Sequence, residues 1–365
     1  KGYSNASALR TDTLGNVYTV GNFRGTIDFN PGPDSIKLST SSIQDYDIFV
    51  SKLDSAGNYI FVKQIGADQM EEPIEAVLDS ANIYFTGKFG GTVDFDPGAG
   101  TTNLTAQYSD VFICKLSLSG NFVWAKSLVS TNNTYCQASS ISLDPSGNVF
   151  STGIISSGGV PVTVTIDFDP GPGTSKVNYS GSGSFSYLLK LTNNGDFAWV
   201  KPLIPSDPSE GAVYNFVRNG NDGSIYLEGG LNGSSTDLDP GPAFFNITNS
   251  SNFLLKLDAA GNFITAKPLV TESMVSIQGV ETDAAGNIYS TGNFFGQGDF
   301  DSSEKKYYLY QLGDNQNAYV QKLKTCQPSS STLTLQKCLS YALNGQTFTK
   351  SGIYKQILSS AAGCD

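Results

Sequence analysis

Residues 79–100 read DSANIYFTGKFGGTVDFDPGAG, residues 101–117 TTNLTAQYSDVFICKLS and residues 118–128 LSGNFVWAKSL. The order of signals is a turn, then N-[IV]-Y-x-x-G, then D-F-D-P-G, then F-x-x-K-L, and after a second turn G-N-F-x-x-x-K. The same order recurs along the chain. Its landmark falls at Asn16, Asn82, Asn148, Ser224 and Asn287, so successive copies begin 66, 66, 76 and 63 residues apart.

Each copy holds four short runs rich in aromatic and β-branched residues, the composition of strands. Gly/Asn turns of hairpin type separate them: TLGN, SAN, PSGN, NDGS and AAGN. No stretch between glycines keeps a 3.6-residue apolar period over ten residues, which excludes a helical reading. A long repeat with four strands per copy is the signature of a propeller blade that carries a loop insertion. The chain is therefore read as all-β, with a five-bladed β-propeller over residues 1–325 and a partial C-terminal β module over residues 326–365. The third copy is longer because of SSGGVPVTVT, residues 156–165, read as an inserted loop. The fifth copy lacks a fourth strand, since Leu323 runs straight into KTCQPSSS. Its blade is expected to be completed by another segment, either residues upstream of Lys1, the preferred donor, or residues 332–335.

The net charge of −11, with 22 basic and 33 acidic residues, argues against nucleic acid or an anionic membrane as partner. No apolar run approaches the roughly 20 residues of a membrane span. The chain has no histidine, which removes Ser-His and Cys-His nucleophile pairs and the imidazole metal ligand. It opens on KGYSNAS instead of a signal segment, as expected of a processed or partial sequence.

The motif D-x-x-G-N-[VI]-Y-x-T-G, followed by F-x-x-K-L and G-N-F-x-W-x-K, resembles the β-propeller repeats of secreted and surface proteins of the Bacteroidetes, including the variant with D-F-D-P-G loops. The tail, CLSYALNGQTFTKSGIYKQILSSAAGCD, is similar to a tandem surface module of that phylum. The resemblance implies an extracellular or outer-surface location and export through the type IX machinery, a partner in secretion. Such propellers mostly lack assigned activities.

Five acidic loops are the first candidate site: Asp28/Asn30, Asp94/Asp96, Asp167/Asp169, Asp237/Asp239 and Asp299/Asp301. In an extended segment residues i and i+2 point the same way, so each pair faces one spot. With turn carbonyls it is a candidate calcium site. The competing structural reading has the first Asp cap backbone amides and the second meet a lysine. Nine lysines favour it by recurring at two strand positions: Lys52, Lys115, Lys190, Lys256 and Lys322, then Lys63, Lys126, Lys201 and Lys267. No cofactor is required on this reading, and calcium is the one candidate ion.

Tyr18, Tyr84, Phe150, Tyr226 and Tyr289 share one position and read as core between blades, with sugar stacking as the alternative. Cys338 and Cys364 bracket the tail module and read as its disulfide in an oxidising exterior. Cys114, Cys136 and Cys326 remain, with Cys114–Cys136 one pairing left open. Thr13, Ser35, Ser55 and Ser80 each follow Asp and precede a small or aliphatic residue. This resembles the O-glycosylation signal of the same phylum.

The function expected is non-enzymatic binding, adhesion or spacing, with a protein or glycan partner. A glycan lectin is the alternative within binding, and a propeller glycosidase with paired carboxylates the alternative across classes. Repeated aromatic and amide pockets between blades would favour the lectin. An unrepeated acid pair in the central channel would favour the enzyme.

Overall fold

A computed structural model describes residues 2–323, apart from residues 132–133, 158–161, 182, 205–210, 233–236, 248–251, 270–273, 284–285, 302–305 and 314–315, together with 341–343 and 346–348. Blade 1 consists of β1 (Tyr3–Thr11), β2 (Val17–Arg24), the small hairpin β3 (Thr26–Asp28) and β4 (Lys37–Ser39), then β5 (Asp47–Leu53) and β6 (Tyr59–Ile65). Blade 2 repeats this with β7 (Glu72–Leu78), β8 (Asn82–Phe89), β9 (Thr92–Asp94), β10 (Asn103–Thr105), β11 (Asp110–Ser117) and β12 (Phe122–Ser130). Blade 3 has β13 (Tyr135–Leu143), β14 (Val149–Ser156), β15 (Val162–Asp167), β16 (Lys176–Gly181), β17 (Ser184–Leu191) and β18 (Phe197–Leu203).

Blade 4 is β19 (Gly211–Asn219), β20 (Ile225–Asn232), β21 (Asn252–Leu257) and β22 (Phe263–Pro268). An isolated bridge, Asp237↔Asn246, stands in for its hairpin. Blade 5 is β23 (Met274–Thr282), β24 (Ile288–Phe295), β25 (Gln297–Asp299), β26 (Tyr308–Tyr310) and β27 (Asn317–Leu323). Past the propeller, β28 (Tyr341–Leu343) pairs with β29 (Gln346–Phe348). Blades 1, 3 and 4 are antiparallel four-stranded sheets in chain order, blade 2 has the same four strands within a six-stranded sheet that β15 and β16 extend, and the fifth has three described strands. The fold is a five-bladed β-propeller.

Two sequence expectations change. Residues 156–165 are not all loop, because β15 begins at Val162 and pairs with β16 from Val162↔Gly181 to Asp167↔Lys176. Alternating valine and threonine is strand chemistry, and β15 also joins the sheet of blade 2 through Val129↔Asp167 and Ser130↔Ile166. The D-x-D-P-G motif, in turn, sits at the tip of a hairpin of its own between the second and third strands of a blade.

The glycine of N-[IV]-Y-x-x-G has a steric cause. Each first strand bulges opposite it, between Ala6 and Ala8 in β1 and between Pro73 and Glu75 in β7, with the same register shift in β13, β19 and β23. A Cβ on Gly21, Gly87, Gly229 or Gly292 would stand 2.0–2.1 Å from a carbonyl oxygen of the first strand. Only glycine lets the backbones approach so closely. The bulge turns Ser7, Ile74, Ser139, Asn215 and Gln278 toward the central channel.

Adjacent blades share apolar clusters, from Tyr18, Val50 and Phe85 between blades 1 and 2 to Phe150, Leu188 and Leu255 between blades 3 and 4. The outer edge of β27 has no described partner strand. Val320 on it is 79% exposed, whereas Val50, Ile113 and Leu188 at the equivalent position are buried. Residues 332–335 lie outside the described residues.

Candidate functional site

The acidic loops first cap turns. Asp28 Oδ1 accepts the amides of Asn30 and Ile36, and Asp94 Oδ1 those of Asp96 and Thr102. Asp167, Asp237 and Asp299 repeat this with Asp169 and Ser175, Asp239 and Phe245, and Asp301 and Tyr307. The second residue also takes a backbone amide: Asn30, Asp96, Asp169 and Asp239 accept from Gly32, Gly98, Gly171 and Gly241 at 2.7–2.9 Å. One oxygen of each of these residues is thus filled by backbone amides, the turn-capping role expected of the first aspartate. Among the described residues no three His, Cys, Asp or Glu side chains gather where they could hold a metal ion.

The expected partner of the lysines is different. Lys52, Lys190, Lys256 and Lys322 approach Asp12, Asp144, Asp222 and Asp283, the aspartates of the first hairpin turn, at 4.0, 3.3, 3.7 and 3.7 Å. Lys306–Asp299, at 3.9 Å, is the one such pair in an acidic loop among the described residues. The same lysine row lies over the rings of Tyr18, Tyr84, Phe150, Tyr226 and Tyr289 at 4.7–5.2 Å, a cation–π contact.

This unit latches onto the following blade. Lys52 and the Tyr18 hydroxyl both donate to Leu118 O, and Lys115, Tyr84 and Trp124 Nε1 all bond Asn193. Burial, with Asp12 beside it, pushes the Tyr18 hydroxyl up to about 12. The second lysine row packs its arm on the next blade: Lys63, Lys126 and Lys201 lie over Gly120, Gly195 and Gly261, each at φ near +80°. Both recurrent rows are scaffold, and Tyr18, Tyr84, Phe150 and Tyr226 are buried between blades.

The first strands are different, because one of their positions does not repeat and puts Arg10, Arg218 and Glu281 at the channel. Arg10, Val77, Ser142, Arg218 and Glu281 occupy one position, each opposite a member of the aromatic row. Arg218 donates to Glu75 Oε1 at 2.8 Å and Glu281 Oε1 at 3.4 Å, to Ser140 Oγ and Val217 O, and through Nε to Val280 O. Those bonds use all five guanidinium donors. Glu75 also takes Arg10 at 3.1 Å, Ser140 Oγ at 2.5 Å and the Ile141 amide at 3.0 Å. A cavity of about 770 Å³ adjoins the network. Behind Ser290, buried Glu228 accepts its hydroxyl at 3.0 Å, and desolvation pushes this carboxyl up to about 8. Sequence reasoning missed this cluster. Its signal was charge that breaks the repeat at a strand position.

At one end of the ring the second-to-third connections carry the hairpins and the chain passes between blades. The other end holds the tight Asp/Asn turns. Among the described residues six aromatic side chains are exposed: Tyr3, Tyr108, Phe244, Phe295, Tyr307 and Tyr310. All six lie at the hairpin end.

Cys114 and Cys136 are free and buried in different apolar clusters, so that pairing does not form. Cys326, Cys338 and Cys364 lie outside the described residues. Thr13, Ser35, Ser55 and Ser80 are all exposed, and Ser35 Oγ donates to Asp28 Oδ2 at 2.7 Å.

No known protein family and no curated protein matches the chain. Among solved structures it is similar to a protein of unknown function from Bacteroides caccae, at 8% identity and a TM-score of 0.35, covering 72% of this chain and 68% of the other. It is also similar to a variant of a Synechocystis apocarotenoid oxygenase, at 10% identity and a TM-score of 0.38, covering 88% of this chain and 62% of the oxygenase. At such scores the likeness is distant, and the propeller is read from the chain's own sheets.

Proposed function

We propose that the chain is a non-enzymatic binding protein, secreted or displayed on a bacterial surface, that engages a protein or glycan partner through the hairpin end of its propeller. One observation carries this: every exposed aromatic among the described residues lies at that end. Aromatic faces stack on sugar rings and anchor protein interfaces. The opposite end presents turns whose polar groups bond one another, as Asp54 does with the amides of Ala56 and Asn58. The surface location and type IX export rest on the resemblance of the repeat and tail motifs.

The glycosidase reading has its own support, namely unrepeated carboxyls in unlike environments: Glu75 ion-paired with two arginines, Glu228 buried with a raised pKa. Against it, Glu228 sits behind Ser290 and Glu75 has both oxygens engaged. A glycan array run beside a broad glycosidase screen separates the two. Retention of a glycan or surface protein without turnover supports the binding role, and hydrolysis abolished by Glu228→Gln would replace it.

A further inference from the structure

Asp47 opens β5 and Glu71 immediately precedes β7, so both lie at the hairpin end where blade 1 hands the chain to blade 2. Glu71 is fully buried and Asp47 nearly so. The Asp47 carboxylate lies against Gly66, where an added Cβ would stand 2.3 Å from its Cγ. Glu71 Oε2 accepts the amide of the next residue, Ala67, at 3.4 Å. Two buried carboxylates thus face consecutive residues of one segment. Gln64 Nε2 donates to Asp47 Oδ2 at 2.5 Å, while Asp47 Oδ1 and Glu71 Oε1 have no hydrogen-bond partner.

The next blade provides an internal control. Asp110 holds the position of Asp47, five residues before the third-strand lysine, and its oxygens are satisfied. Ser130 gives it an amide and a hydroxyl, and Gln107 an amide at 3.2 Å. The pairings Ile48↔Ile65 and Val111↔Leu128 place Ala67 where blade 2 has Ser130. The bridges Tyr46↔Met70 and Ser109↔Tyr135 place Glu71 where the next seam has buried Cys136. Relative to blade 2, this seam lacks a hydroxyl donor and has a second carboxylate. A buried charge without partner is costly unless an ion or proton neutralises it, and Asp45 and Asp68 add negative potential.

We propose that Asp47 and Glu71 bind one hard divalent cation of the calcium class at the seam between blades 1 and 2, separately from the D-x-D-P-G loops. Main-chain carbonyls and water complete the oxygen shell that such an ion needs. Any proton held on these unpartnered carboxyls in the absence of the ion must leave when the cation binds.

The test is calorimetric titration of the chelator-treated 365-residue chain with calcium chloride at neutral pH, in two buffers of different ionisation enthalpy. One saturable site releasing up to about one proton per ion is expected. It is lost in Glu71→Gln and Asp47→Asn, weakened in Ala67→Ser, which restores the hydroxyl, and retained in Asp94→Asn. Thermal melts of each variant verify folding. No binding up to about 10 mM, above the weakest extracellular calcium modules, would overturn the proposal, as would binding that survives Glu71→Gln. An unaltered chain that binds no calcium, beside a Glu71→Gln protein that melts higher, would assign the pair to a shared proton instead.

Discussion

Arg218 donates to Glu75 Oε1 across the channel at 2.8 Å, and through this pair all five blades are tied together. Glu75 belongs to blade 2, Ser140 to blade 3, Arg218 to blade 4 and Glu281 to blade 5, while Arg10 of blade 1 joins at 3.1 Å. Breaking a buried pair from one side costs about 3–5 kcal/mol when the remaining charge is left uncompensated; here Glu75 keeps the more exposed Arg10 and two bonds to blade 3, so the lower end of that range is expected. Arg218→Met should therefore lower unfolding stability by about that much in urea melts, and Arg218→Lys should recover little, lacking the planar fork. A change under about 0.5 kcal/mol, the size of an ordinary surface effect, would show that the blades hold together without this hub.

Gly87 faces the first-strand bulge, with a would-be Cβ 2.1 Å from Glu72 O. Gly87→Ala must push the two strands apart, and overpacking of this kind costs about 1–3 kcal/mol. Chemical denaturation checks it, and Gly229→Ala should behave alike in blade 4.

The Tyr84 hydroxyl donates to Asp79 at 2.7 Å and contacts Asn193 of the next blade at 3.2 Å. Tyr84→Phe removes the hydroxyl's share of the latch, leaving Lys115 and Trp124 on Asn193 and the ring in place, as Phe150 does naturally in blade 3. A loss of about 1 kcal/mol is expected, the net value of a typical hydrogen bond.

Glu228 gives a pH signature. Its carboxyl is pushed up to about 8 in the folded protein, against an ordinary value of 4.5. Between these values the folded state keeps a proton that the unfolded state has lost, so stability falls as pH rises through the window. Its contribution is fully present below the unfolded pKa. Glu228→Gln should flatten the stability profile across that range, and Glu71, shifted in the same direction, retains its own share. A steeper decline in the variant would contradict the sign.

The fold was legible because blades must repeat what they need. Glycine at the bulge, lysine over the aromatic row and aspartate in the turns each recur with the period, and each proves to have a packing or hydrogen-bonding cause. The lysine partner was misread because two aspartate rows recur, and sequence spacing does not say which lies beneath the third strand. The hub was invisible for the opposite reason: Glu75 and Arg218 stand 143 residues apart and occur once each. Asp47 and Glu71 escaped notice likewise, since the repeat places neither beside the other. The hairpins were read as loops because three-residue strands carry too little pattern to register.

Recognition through the hairpin end is tested most directly by comparing glycan-array and surface-protein binding of the unaltered chain with two variants. One carries Tyr108→Ser, Phe244→Ser and Tyr310→Ser at the hairpin end, and the other Leu14→Ser, exposed at the opposite end. The account predicts a ligand retained by the unaltered chain and by Leu14→Ser and lost by the triple variant. Binding that survives the triple variant but fails in Leu14→Ser would contradict it.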